Sequence, residues 1–110
     1  MQDAEYFPAN FRFSQRASAK LSELTKIASE ASGRLMVPAL FWSEEYEEAR
    51  RETVVLGLEF GWYHLDEVPT KLLQEVDGIS LIFAVTSKRA THFLAKVIDY
   101  QDEKRFFLAP

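Results

Sequence analysis

Thr53-Val54-Val55-Leu56-Gly57-Leu58-Glu59-Phe60-Gly61-Trp62-Tyr63-His64 alternates along its whole length. Val54, Leu56, Leu58, Phe60 and Trp62 fall on one side, and Val55, Gly57, Glu59, Gly61 and Tyr63 on the other, which is the two-residue period of a strand. The pattern predicts the central strand of a sheet, with the first set turned to the core. Gly57 and Gly61 thin the second face, so that another backbone comes close there or the strand bends.

Downstream, residues 65–69 read as a turn, and residues 71–76 fit either a short strand or a helical turn. Asp77-Gly78 between apolar runs signals a hairpin, so residues 72–76 are expected to pair with residues 79–85. Thr86 or Ser87 can cap a short helix reaching Ala95, with Ala90, Phe93 and Leu94 on its inward side. Two strands, 97–100 and 105–108, then close the chain across the polar turn Gln101-Asp102-Glu103-Lys104.

Upstream, residues 34–42 form a strand in which Pro38 cannot donate to a ladder, which predicts an edge strand or a bulge or break there. Residues 43–52 read as an acidic loop with room for a helical turn pairing Glu47 with Arg51. Earlier still, Ala17, Leu21, Leu24, Ala28 and Ala31 are spaced four, three, four and three apart, one face of a helix. Ser14 caps that helix, Ser32-Gly33 stops it, and Phe11-Arg12-Phe13 precedes it as a first strand. The order predicts a single α+β domain over residues 1–110, a mainly antiparallel or mixed β-sheet with one long N-terminal helix and one short helix.

The chain has 110 residues, 47% of them hydrophobic and 27% charged, enough for one core and too apolar for a disordered tail. It contains no cysteine. That excludes disulfides, thiolate zinc sites, cysteine-held iron-sulfur clusters and thiol nucleophiles. The formal net charge of −4 is concentrated in residues 41–70, which carry eight acidic and two basic groups. Such a distribution argues against nucleic acid, whose phosphates need a concentrated basic face. No apolar run approaches the roughly 20 residues of a membrane helix, and no signal peptide opens the sequence, so a soluble cytoplasmic protein without membrane contact is expected.

Phe11-Arg12-Phe13-Ser14 with Ala17 and Leu21, then Gly33-Arg34-Leu35, Gly57-Leu58-Glu59-Phe60, Asp77-Gly78-Ile79-Ser80-Leu81-Ile82-Phe83, Ile98-Asp99-Tyr100 and Phe106-Phe107-Leu108-Ala109-Pro110 resemble, in order, the A-type iron-sulfur carrier family of HesB/IscA-like domains. The resemblance covers nearly the whole chain through short patterns and implies the HesB-like architecture. In that family, holding or passing on a cluster or iron depends on three cysteines, one after the second strand and two beyond a closing Asn-Pro. Here the first would fall near residues 42–45, where there is no thiol, Ala109 replaces the asparagine, and the sequence ends at Pro110. The resemblance is one of scaffold, and no functional residue carries across.

The remaining chemistry is sparse. Glu44, Glu45, Glu47, His64 and Asp66 could supply oxygen and nitrogen ligands to a metal, although the acidic run lacks the fixed offsets of a calcium loop and reads first as a solvated surface. His64 and His92 are the only imidazoles, in separate elements, and either one beside a buried carboxylate would be needed for a small enzyme. There is no nucleophile elbow and no phosphate-cradling loop. Among the aromatic residues, alternation sends Phe60 and Trp62 inward and leaves Trp42 and Tyr63 free to reach a surface. The sequence thus predicts no cofactor and no catalysis, and a module that binds a protein partner or itself, with a homodimer through edge strands as one arrangement. The alternative is a metal- or iron-binding protein using the Glu, His and Asp ligands above.

Overall fold

Ser14 turns the first strand into the long helix. Its hydroxyl accepts the Ala17 N–H at 3.1 Å, and Gly33, at φ +74, closes the other end through an N–H to the Ser29 carbonyl. In the computed structural model, which describes residues 6–101 and 105–109, this helix is α1, Gln15–Ser32. It is preceded by β1, Arg12–Phe13, and followed by β2, Met36–Glu47, β3, Glu52–His64, β4, Leu73–Val76, and β5, Ile79–Phe83. The short helix α2, Ser87–Ala90, β6, Val97–Gln101, and β7, Arg105–Ala109, complete the chain. The expected polar turn lies outside the described residues after Gln101.

The strands form two sheets, ordered β1-β6-β7 and β3-β2-β5-β4, with β1/β6 and β2/β5 parallel and the other pairs antiparallel. The class is α+β, with one long and one short helix, as the sequence implies. One face of the four-stranded sheet packs Leu40, Leu81 and Phe83 against Ala17 and Leu21 of α1 and against Phe13 and Ile98 of the other sheet. The opposite face, with Val37, Ala39 and Ile82, is covered by Val68 and Leu72 of the β3–β4 connection. The Asp77-Gly78 turn has φ of +49 and +83, both positive, as the tight hairpin turn requires.

Several expectations need correction. The strand of residues 53–64 is not central: β3 is an edge, while β2, with its proline, is interior. The proline is tolerated because the β2–β5 ladder pairs only Ala39 with Ile82 and Leu40 with Phe83. The Leu40 carbonyl accepts from Ala84 N–H at 2.9 Å, and strand alternation turns Pro38 toward the same side, one step before that ladder begins.

Residues 43–52 are not a loop. Both strands continue to Glu47 and Glu52, leaving only residues 48–51 as the turn, with Arg51 at φ +52. Thr53, Val54 and Val55 supply the β-forming partners for Tyr46, Glu45 and Glu44, and that pairing overrides the poor strand preference of glutamate. Glu47 meets Arg50 at 3.4 Å, not Arg51.

The alternation of β3 is broken by a bulge. Ser43 pairs with Gly57 and Glu44 with Val55, so Leu56 is the extra residue, and Gly57 takes up the bend at φ +94. Val55, rather than Val54, therefore lies across from Glu44, on the side that carries Leu58 and Trp42 further down.

The short helix stops at Ala90 and tightens into a 3-10 turn over Thr91–Phe93. At three residues per turn, Phe93 follows Ala90 inward and Leu94 rotates out, 61% exposed. In α1, similarly, Ala31 is exposed although it shares the predicted face, because the C-terminal half of the helix stands off the sheet. There Trp62 Nε1–H donates to the Thr25 hydroxyl at 2.9 Å and Met36 N–H to the Ser29 hydroxyl at 2.9 Å.

Candidate functional site

Beyond Leu40, β2 has lost its pairing with β5, and the β2–β3 hairpin runs on as a two-stranded arm. Trp42 and Leu58 at its base still pack on the core and Leu56 borders β7, whereas the end of a two-stranded ribbon has no second layer to bury its side chains. Tyr46 is accordingly 60% exposed, Val55 55% and Leu56 46%. Tyr46 lies opposite Thr53 and Val55 opposite Glu44, so Tyr46 and Val55 are diagonal neighbours on one face.

The base of the arm is clamped by a polar and aromatic cluster. Trp42 stacks on His92 with ring centroids 4.2 Å apart and planes 9° from parallel, and meets Phe93 edge-on at 5.5 Å. Its indole N–H donates to Glu44 Oε1 at 2.9 Å. Arg89 reaches the other Glu44 oxygen at 3.7 Å and donates to the Trp42 carbonyl at 3.2 Å, while His92 Nε2 stands 4.0 Å from Glu44 Oε1. The carboxylate of Glu44 thus joins β2 to residues 89–92. Its partners make it a structural tie between the hairpin and that segment.

The residues singled out by sequence are scattered by this geometry. Trp42 is half-buried, stacked on His92 and bordering a small cleft between β3 and β7, whereas Tyr63 is exposed and packs at 6.3 Å against Phe41 on the sheet face opposite α1. Glu45 is exposed and Glu47 is tied to Arg50. Asp66 and Glu67 are both taken by Arg34, at 2.5 and 3.3 Å, so His64 does not join them. His64 lies across from Met36 and Glu44 from Val55, eight β2 positions apart, about 26 Å at a strand's rise. The metal candidates therefore occupy opposite ends of one hairpin. No group of three His, Cys, Asp or Glu side chains converges among the described residues.

A cavity of about 520 Å³ opens where α1 stands off the sheet, floored by Met36, Val37, Pro38 and Ile79 and walled by Thr25 and Ser29. Its size is within the range of small-molecule sites, but its lining holds no imidazole and only Lys26 and Glu30 as charges.

No family model, curated protein or solved structure matches the chain. Tyr46 escapes notice in the sequence because residues 43–52 look like a loop, and Leu56 because unbroken alternation turns it to the core, where the bulge instead leaves it unpaired. The one available signal was the alternation of Glu45, Tyr46 and Glu47 opposite the β-branched run at residues 53–55.

Proposed function

We propose that the chain is a cytoplasmic, non-catalytic interaction module, built on a degenerate scaffold similar to that of the A-type iron-sulfur carriers, and that it contacts a protein through the β2–β3 arm. The single observation behind this reading is the exposure of Tyr46, Val55 and Leu56 together on a projecting hairpin. Scattered apolar residues on a surface are ordinary. Three on one two-stranded arm, where burial contributes nothing to folding, have the character of a contact patch. The contact engages the face of the arm, because the bulge at Gly57 and the flanking Glu52 and Glu59 discourage a further strand from joining the β3 edge.

Elemental analysis of purified protein, followed by iron, zinc and calcium titrations, tests this reading against metal binding through Glu44, Glu45, Glu47, His64 and Asp66. No stoichiometric uptake is expected. Near-equimolar binding of any of the three metals, or incorporation of an iron-sulfur cluster on reconstitution, would contradict it.

A further inference from the structure

The cavity of about 520 Å³ beneath the C-terminal half of α1 is lined in a way that folding alone does not call for. A helix covering a sheet ordinarily turns apolar side chains toward it, yet the wall and rim here are Ser22, Thr25, Lys26, Ser29 and Glu30, above a floor of Met36, Pro38 and Ile79. Two hydrogen bonds hold that wall in place, from Trp62 Nε1–H to the Thr25 hydroxyl and from Met36 N–H to the Ser29 hydroxyl, each 2.9 Å. The cavity is thus framed before anything enters it. At its mouth stands Leu35, 71% exposed, the most exposed of the large apolar side chains described.

The polar groups of the wall are mostly uncommitted donors. Thr25 and Ser29 each accept one hydrogen bond and donate none to a described group, so each hydroxyl proton is free. Ser22 makes no side-chain hydrogen bond and Lys26 no ion pair among the described residues. Residues three and four apart are neighbours on a helix, so Ser22, Thr25 and Lys26 set two hydroxyls and an ammonium side by side. Glu30, the one carboxylate of the lining among the described residues, lies a turn beyond Lys26 and two turns beyond Ser22. We propose that the cavity binds a monocarboxylic acid with an unbranched apolar tail, a free medium-chain fatty acid. Its carboxylate accepts from Ser22, Thr25 and Lys26, and its tail lies along Pro38, Met36 and Ile79 and covers Leu35. An ammonium head group would meet Lys26 as a like charge, and a neutral one would leave that charge without a counterpart. Apolar contact supplies most of the affinity, and the partly exposed charge pair selects the head group. The cavity shares no lining residue with the β2–β3 arm, so this inference goes beyond the interaction reading and stands or falls separately from it.

Octanoate titrated into the purified full chain, followed by calorimetry, tests the proposal. Saturable one-to-one binding is expected with half-saturation below about 1 mM, a modest demand on a ligand of about ten non-hydrogen atoms. Trp42→Phe leaves Trp62 as the sole tryptophan, and its emission is expected to shift on binding because its indole is bonded to Thr25 on the cavity wall. Octylammonium, which keeps the tail, and acetate, which keeps the head group, are each expected to bind about tenfold more weakly or worse. Lys26→Glu is expected to weaken octanoate about fivefold and Glu30→Gln to tighten it about twofold, opposite signs that a purely apolar cleft would not give. Leu35→Ser, at an exposed position where folding is not at stake, is expected to weaken it about threefold. The absence of saturable octanoate binding, octylammonium bound as tightly as octanoate, binding with Trp62 emission unchanged, or an affinity that ignores both Lys26→Glu and Glu30→Gln would each overturn the proposal.

Discussion

Arg12 and Asp77 join the first strand to a hairpin turn 65 residues later, with the guanidinium bonded to both carboxylate oxygens, its Nη2 lying 2.5 Å from Oδ1. The same carboxylate accepts the Phe13 N–H at 2.8 Å. The Arg12 hydrogen bonds, and then that of Phe13, pull the Asp77 carboxyl from its ordinary 3.8 down to about 2. A group whose folded value lies below its unfolded value stabilises the fold above the unfolded value and loses that contribution as pH falls through the folded one. Stability should therefore drop between about pH 4 and pH 2. Asp77→Asn keeps a residue that tolerates the positive φ, and it is expected to lower the urea midpoint at neutral pH and flatten the acid limb. An unchanged acid limb in the variant would count against the assignment. Some slope will remain, since Arg16 and then Ser14 hold the Asp99 carboxyl low as well.

Gly57 is the hinge of the arm. An added Cβ there meets nothing within 4 Å, so the cost of Gly57→Ala is the backbone strain at φ +94 alone. We expect a loss of about 1–3 kcal/mol in urea denaturation. A neutral substitution would mean that the bulge is absent or placed elsewhere.

Phe93 and Val55 make a controlled contrast. Phe93 is fully buried against Phe11, Trp42 and Phe83, and Phe93→Ala should cost about 3–5 kcal/mol. Val55→Ser, on the arm, should change stability by no more than about 0.5 kcal/mol. If Val55→Ser destabilised the chain as a core substitution does, its side chain would be packed and the arm would not be a free surface.

Thr25 holds the helix to β3 through the Trp62 indole. Thr25→Val keeps the shape of the side chain and removes the acceptor, leaving a part-buried indole N–H without its partner. The expected loss is about 1 kcal/mol, with a change in tryptophan emission. Equal stability and emission would show that water replaces the hydroxyl.

Local signals and tertiary ones were legible to different degrees. The cap at Ser14, the stop at Gly33 and the turn at Asp77-Gly78 are set by backbone geometry that a few neighbouring residues dictate, and each stands where the sequence places it. Strand position depends on partners far along the chain. Pro38 reads as an edge residue until the β2–β5 ladder is seen to begin just after it, and β3 reads as central because Phe60 and Trp62 point inward even from an edge. The acidic stretch shows the same limit: Glu44, Glu45 and Glu47 are poor strand formers alone and become strand only when aligned with residues 52–55. Of the residues flagged for contact, Tyr63 is exposed. Trp42 is half-buried under His92, a stacking partner 50 residues away that no local pattern announces.

The most direct test of the arm as a contact surface is a photo-crosslinking residue placed at Val55 in living cells, with Glu75 on β4, the opposite edge of the same sheet, as the control position. Efficient formation of one discrete protein adduct from Val55, weakened by Tyr46→Ser and Leu56→Ser and missing from Glu75, is the predicted result. No adduct from Val55, or the same adducts from both positions, would contradict the account.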